Sequence, residues 1–259
     1  MSRPVRILIL GGTTEARMLA ERVAGDHTIA PILSLAGRTM NPTLPAVPSR
    51  IGGFGGIAGL ISYLKAKSID LVIDATHPFA EQMSAHAESA CREMGIPLAL
   101  FTRPPWMRCD GDRWNQVENA EAAAQTLGAI PRRVFLTVGR LQLPAFAAAP
   151  IHHYLIRSID PPEPPPTLPN YRLMLARGPF SLDDEIRLMA AEKIEILVSK
   201  NSGGAATYAK IEAARKLGIP VILIRPPARA EVPSFHDLEA ILGFIHNAAH
   251  QHPPEPRGV

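Results

Sequence analysis

The sequence holds only two cysteines, Cys91 and Cys109, and no Cys-x-x-Cys spacing. A disulfide framework and a thiolate zinc site are therefore ruled out. Aromatic residues are scarce, with 8 Phe, 4 Tyr and 2 Trp in 259 positions, and the 27 scattered basic residues barely exceed the 24 acidic ones. Nucleic-acid binding normally wants a basic stripe or aromatic stacking platforms, so that class is disfavoured. No apolar run approaches the roughly 20 residues that span a bilayer. The opening Met-Ser-Arg-Pro-Val-Arg leads straight into a short strand-like run without a signal-peptide core. A cytoplasmic chain with no membrane partner is the expectation. Gly-x-Ser-x-Gly, His-Glu-x-x-His and the lysine of a phosphate loop are also missing, which removes the commonest hydrolase and zinc signatures.

Proline is what the sequence has in excess. The 26 prolines make about twice the average share, and many sit just past apolar runs, as punctuation between elements. Short β-type runs alternate with helical stretches, the pattern of a parallel sheet covered by helices. Strands are expected at 5–10, 28–35, 70–74 and 97–101, with helices at about 14–24, 57–67 and up to Glu93. Continuous apolar runs of this kind suit strands buried on both faces.

The second half repeats the first. Met94-Gly-Ile-Pro-Leu-Ala-Leu-Phe is echoed by Leu217-Gly-Ile-Pro-Val-Ile-Leu-Ile, Ile69-Asp-Leu-Val-Ile-Asp by Ile194-Glu-Ile-Leu-Val-Ser, and Arg6-Ile-Leu-Ile-Leu-Gly-Gly by Arg133-Val-Phe-Leu-Thr-Val-Gly. Three matches in one order imply an α/β fold of two Rossmann-like parallel-sheet lobes with a cleft between them. The expected division is 1–103 for a nucleotide-binding lobe, 104–247 for a second lobe whose C-terminal helix can cross back, and 248–259 for a disordered tail. His250 and His252 fall in that tail, and no metal site is assigned. Pro161 to Pro169, with six prolines, reads as a loop of the second lobe.

In open α/β sheets ligands collect beyond the carboxyl ends of the strands, and the polar, non-periodic residues fall there. Gly11-Gly12-Thr13-Thr14-Glu15 follows the first strand and opens a helix, so its amides and dipole suit a phosphate. A bare strand-to-helix turn would look similar. After the second strand come Ser34, Gly37, Arg38 and Thr39, with no acid for a ribose hydroxyl. Arg38 reads either as a surface arginine in a loop or as the partner of a 2′-phosphate, and the second reading favours NADPH over NADH. Asp74-Ala-Thr-His-Pro-Phe-Ala80 ends the third strand. Thr76 there either faces a ligand or caps the next helix, and His77 reads as an acid, a substrate contact or a satisfied loop histidine. Ser199-Lys-Asn-Ser-Gly-Gly204 is its counterpart, where Lys200 meets an anion or solvent. Arg177-Gly-Pro-Phe-Ser181 is a helix start capped by Ser181, which leaves Arg177 as the functional candidate. Thr137-Val-Gly139-Arg140 completes the set. Tyr63 and Lys67 match a dehydrogenase pair by spacing, but they lie inside a helix ahead of the third strand, and are set aside.

Taken together, Gly-Gly-Thr-Thr-Glu-Ala-Arg, Asp-Ala-Thr-His-Pro-Phe-Ala, Arg-Gly-Pro-Phe-Ser and Ser-Lys-Asn-Ser-Gly-Gly with Lys210 downstream resemble precorrin-6A reductases of cobalamin biosynthesis, over residues 5–245. The resemblance implies NADPH-dependent reduction of a double bond in the precorrin-6A macrocycle, giving precorrin-6B. It leaves the metal-free and cobalt-containing substrates unseparated. It implies cofactor contacts at Gly11, Gly12, Thr13, Thr14, Glu15, Ser34, Gly37, Arg38, Thr39, Thr76, Gly139 and Arg140. Substrate contacts would fall at Pro78, Phe79, Arg177, Ser199, Asn201, Ser202, Gly203 and Lys210, with His77 and Lys200 as proton-donor candidates. Arg103, Arg108, Arg140, Arg177 and Lys200 suit the carboxylates of such a substrate, and other enzymes of that pathway are the transient partners it suggests. Two alternatives stay open: an NADPH reductase of a smaller polycarboxylate, and a non-catalytic dinucleotide sensor.

Overall fold

A computed structural model describes residues 3–37, 45–229 and 231–250. The chain divides into two units, one from Met1–Arg103 and Ala228–Val259, the other from Pro104–Pro227.

The first unit is built on β1 (Val5–Leu10), α1 (Thr14–Val23), β2 (Ile29–Leu35), β3 (Ser49–Ile51), α2 (Gly56–Lys67), β4 (Leu71–Asp74), α3 (Glu81–Met94) and β5 (Leu98–Phe101). In β1 the side chains alternate between two apolar layers, as a period-2 element buried on both faces must. Val5, Ile7 and Ile9 pack with Leu19, Ala20 and Val23 of α1. Leu8 and Leu10 pack instead with Leu60 and Leu64 of α2 and with Ala87, Ala90 and Cys91 of α3. Each fully buried Leu or Ile of this kind contributes roughly 1.5–3 kcal/mol.

The second unit holds β6 (Trp114–Val117), α4 (Ala120–Thr126), β7 (Arg133–Thr137), a 3₁₀ helix (Arg140–Ala148), β8 (His153–Ser158), β9 (Tyr171–Leu175), α5 (Leu182–Ala191), β10 (Ile196–Lys200), α6 (Ala209–Lys216) and β11 (Val221–Ile224). Phe135, Leu155, Leu197 and Leu223 of its sheet pack under Met189 of α5 and Ile211, Ala213 and Ala214 of α6. The proline-rich segment lies between β8 and β9, as a loop.

From Ala228 the chain belongs to the first unit again, so β12 (Ser234–Phe235) and α7 (Leu238–His250) are added there rather than to the second. The reason is the apolar stripe Ile241, Leu242 and Ile245, which closes the same layer as α1. The helix runs to His250, so positions 248–250 of the expected disordered tail are helical. The remainder of the expected tail lies outside the described residues.

Both sheets have six strands and every pairing is parallel. Their orders are β12-β5-β4-β1-β2-β3 and β6-β11-β10-β7-β8-β9. Each reads as the nucleotide-binding order 3-2-1-4-5-6 of doubly wound sheets. The sixth place is filled in one case by the last strand of the chain and in the other by a strand that precedes its unit's core. The three repeated strings are thus β1 and β7, β4 and β10, β5 and β11, in equivalent places.

Candidate active site

In an open sheet of this order the crevice for a ligand opens where the winding reverses, between β1 and β4. Leu10 and Asp74 are register partners at those strand ends, so the turn after β1 and the loop after β4 start side by side. Gly11 is fixed by crowding: a Cβ there would lie 2.7 Å from Leu33 Cδ1 and 3.3 Å from Ala16 Cβ. Gly12 is fixed by conformation, with φ of +116°, and a Cβ there would meet nothing within 4 Å. The backbone at Gly12 is open to an approaching group. Thr13 caps α1, accepting from Ala16 N at 3.1 Å, while its hydroxyl donates to Ala75 O at 2.8 Å and ties the turn to the loop after β4. Thr14 opens the helix on its exposed side. Glu15 in the first turn is paired with Arg103 Nη1 at 3.2 Å. That offsets a negative charge beside amides suited to an anion.

Asp74 is fully buried, and its carboxylate is the hub of the second loop. Oδ1 accepts from Thr76 N at 3.0 Å and Thr76 Oγ1 at 2.6 Å, and Oδ2 from Ser84 Oγ at 2.6 Å. Arg229, on the returning segment, approaches Oδ2 at 3.4 Å and donates from Nη2 to His77 O at 2.8 Å. A buried carboxylate demands such partners. Asp74 also acts on a neighbour: burial first, and its charge second, push the Cys91 thiol up to about 12. His77 Nδ1 accepts from Phe79 N at 3.2 Å, which leaves the proton of the neutral ring on Nε2. Pro78 is buried and Phe79 half-buried.

At the end of β2, the buried Ser34 accepts from Arg50 Nη1 at 2.8 Å. Gly37 has φ of +72°. Arg38 and Thr39 lie outside the described residues.

In the second unit the equivalent strand ends are Thr137 and Ser199, again register partners. The turn there differs in kind. A Cβ at Gly139 would lie 3.1 Å from Lys200 Nζ and 3.0 Å from Gln142 Oε1, and the turn runs into the 3₁₀ helix with Pro144 inside it. Gly139 and Lys200 are therefore together, but the space open at Gly12 is filled here by side chains. Arg140 and Arg177 are exposed. Arg177 stands just before the cap Ser181, which accepts from Asp184 N at 3.1 Å.

Several expected contacts prove to be engaged inside the protein. Ser199 has no exposed surface and donates to Lys200 O at 3.2 Å. Asn201 accepts from Trp106 N at 2.7 Å and donates to Trp106 O at 3.0 Å, as a strand neighbour would. The Trp106 indole donates to Gly204 O at 2.8 Å, so it fixes the turn that contains Gly203, next to the buried Ser202. Lys210 is buried with its ammonium 5.2 Å from the Trp106 ring. Arg108 donates to Asp112 O at 3.0 Å and Arg103 holds Glu15, so these two expected carboxylate partners have partners of their own.

Sequence reasoning missed Arg50, Trp106, Arg157 and Arg229. Arg157 on β8 is buried against Glu185 of α5 at 2.5 Å, with the Phe180 ring 3.8 Å away. That ion pair holds Phe180 of the Arg177-Gly-Pro-Phe stretch. No periodic signal marks a lone arginine in a strand. A strand arginine that follows an apolar run, as in Tyr154-Leu-Ile-Arg157, is the one trace available.

Fold and turn together define a class: an α/β protein of two Rossmann-type units, the first with an uncrowded glycine turn at the carboxyl end of β1. Comparison with known proteins gives the particular case. A family model described as precorrin-6x reductase CbiJ/CobK matches residues 6–246. A precorrin-6A reductase of Rhodobacter capsulatus is 48% identical over 254 residues, covering 98% of this chain and 99% of its own. Another, from Sinorhizobium sp, is 47% identical over 245 residues, 95% of this chain and 94% of its own. A solved structure titled CobK precorrin-6A reductase superposes with a TM-score of 0.88 at 47% identity, covering 98% of this chain and 100% of the other. By contrast, a cobalt-precorrin-6A reductase of Priestia megaterium is 26% identical over 233 residues, 85% of this chain and 90% of its own. The chain belongs to the precorrin-6x reductase family. Among the described residues no helix is long and apolar enough to cross a membrane, and no cluster of three or more His, Cys, Asp or Glu is placed to hold a metal ion.

Proposed function

We propose that this chain reduces a double bond of precorrin-6A to give precorrin-6B, with NADPH held by the first unit. The observation that carries the cofactor reading is Gly12, whose positive φ leaves the backbone uncovered at the carboxyl end of β1. NADPH, when bound, supplies a hydride; the rest falls to the protein. Gly11, Gly12, Thr13 and the first-turn amides of α1 would hold the pyrophosphate. Arg103 keeps Glu15 from repelling it. His77 would donate a hydrogen bond from Nε2–H to a substrate carboxylate, and only as the imidazolium could it give a proton to a ring carbon. Lys200, Arg177 and Arg140 offer cations to the acetate and propionate groups of the macrocycle.

The higher identity to reductases of the metal-free substrate favours precorrin-6A over its cobalt form. The test presents each macrocycle with NADPH and follows oxidation of the nucleotide. Faster turnover of the metal-free substrate is expected. Faster turnover of the cobalt form would reverse that assignment, and NADPH binding without consumption by either would identify a sensor.

A further inference from the structure

We propose that Arg50 selects the 2′-phosphorylated dinucleotide, an inference that rests on the nucleotide reading of the first unit. Ser34 and Arg50 are register partners on β2 and β3. Arg50 is therefore carried at the strand ends where dinucleotide folds distinguish a ribose hydroxyl from a phosphate.

The guanidinium is held on a built platform. Nη1 donates to Ser34 Oγ at 2.8 Å and Gly52 O at 2.9 Å, and Nη2 to Gly53 O at 2.9 Å. Its carbon lies 4.0 Å from the Phe54 ring centroid and 5.2 Å from that of Tyr63. The platform itself depends on glycine. Gly55 and Gly56 have φ of +80° and +87°, and a Cβ at Gly59 would come within 1.8 Å of Phe54 O.

Two features point to an anion. Among the described residues every partner of Arg50 is neutral, so its charge is uncompensated although the side chain is half-buried. Those bonds also engage three of its five N–H donors. Nε–H and one Nη2–H remain, two donors for the oxygens of a phosphate. A ribose hydroxyl would use neither the second donor nor the charge.

The test titrates the full-length chain with 2′,5′-ADP and with 5′-AMP, which separates phosphate recognition from catalysis. The wild type should prefer 2′,5′-ADP by about ten- to a hundredfold, the worth of one charge-assisted hydrogen bond. Arg50→Met should bring the ratio close to one while 5′-AMP affinity stays within about threefold, since the lost interaction is specific to the charge. Arg50→Lys should retain part of the preference, because charge survives without the fork. An unchanged ratio in Arg50→Met, or equal losses for both nucleotides, would overturn the proposal. Should Arg50→Met be too unstable to titrate, the ratio in Arg50→Lys decides: a fully wild-type value overturns it. A wild type that binds neither NADPH nor 2′,5′-ADP would instead overturn the cofactor reading beneath it.

Discussion

Arg229 donates to the main-chain oxygen of His77 at 2.8 Å across 152 positions of sequence, and approaches the Asp74 carboxylate at 3.4 Å. One side chain thus ties the main chain at His77 to the end of β4. It stands on the segment with which the chain re-enters the first unit.

Arg229→Met should destabilise the first unit by about 1.5–3 kcal/mol, the usual worth of hydrogen bonding to a charged group. Arg229→Lys keeps a charge for Asp74 but cannot bridge to His77 O as well. It should therefore recover most of the stability while KM for the macrocycle stays raised. Denaturant titration beside steady-state kinetics checks this. Equal recovery of stability and KM by lysine would mean that charge alone matters.

Gly11 and Gly12 should separate packing from binding. Gly11→Ala forces a Cβ against Leu33 Cδ1 at 2.7 Å in a buried layer, and overpacking of this kind costs about 1–3 kcal/mol. Gly12→Ala meets no neighbour but strains a backbone at φ of +116°. It should therefore cost about 1 kcal/mol or more of stability and, unlike Gly11→Ala, lower NADPH affinity in the folded protein as well. Thermal unfolding and nucleotide titration of both variants show which glycine does which.

The frame of this fold was legible because β1, β4, β5 and their counterparts are continuous apolar runs, and the repeat of those runs places them in equivalent positions. β3 was not, since Ser49-Arg-Ile carries no periodic signal in three residues. The site was legible only as motifs at strand ends. What each residue touches depends on pairings between distant segments, such as Asn201 with Trp106 and Arg229 with His77, and local spacing holds no trace of those. Asn201 and Ser199 look like ligand contacts in the motif, yet the structure engages both internally.

His77 and Lys200 should act more on binding than on chemistry. An obligatory acid would be worth about 10²–10⁴ in rate, but an electron-poor macrocycle accepts hydride readily and water can supply the proton. His77→Ala and Lys200→Ala should raise KM more than they lower kcat. Single-turnover NADPH oxidation at saturating macrocycle decides. A loss beyond about a hundredfold with NADPH affinity intact would name the acid.

Acid stability should depend on Asp26. Its hydrogen bond from Thr28 Oγ1 at 2.6 Å, followed by the contact with His246 of α7 at 2.8 Å, holds the carboxyl down to about 2 from its ordinary 3.8. A depressed carboxyl stabilises the fold above its unfolded pKa and loses that contribution as pH falls through the folded one. The stability gap between wild type and Asp26→Asn should therefore be constant at neutral pH and close between pH 3.8 and about 2. Denaturant titrations along that range would reveal a gap that fails to close.

Hydride transfer to the macrocycle is tested most directly with NADPH deuterated at the nicotinamide C4 on the transferred face, and precorrin-6A as acceptor. Mass spectrometry of the product should find one deuterium on the reduced macrocycle for each NADPH consumed. NADPH oxidised in the presence of precorrin-6A with no deuterium in the product, using label on either face, would contradict the account.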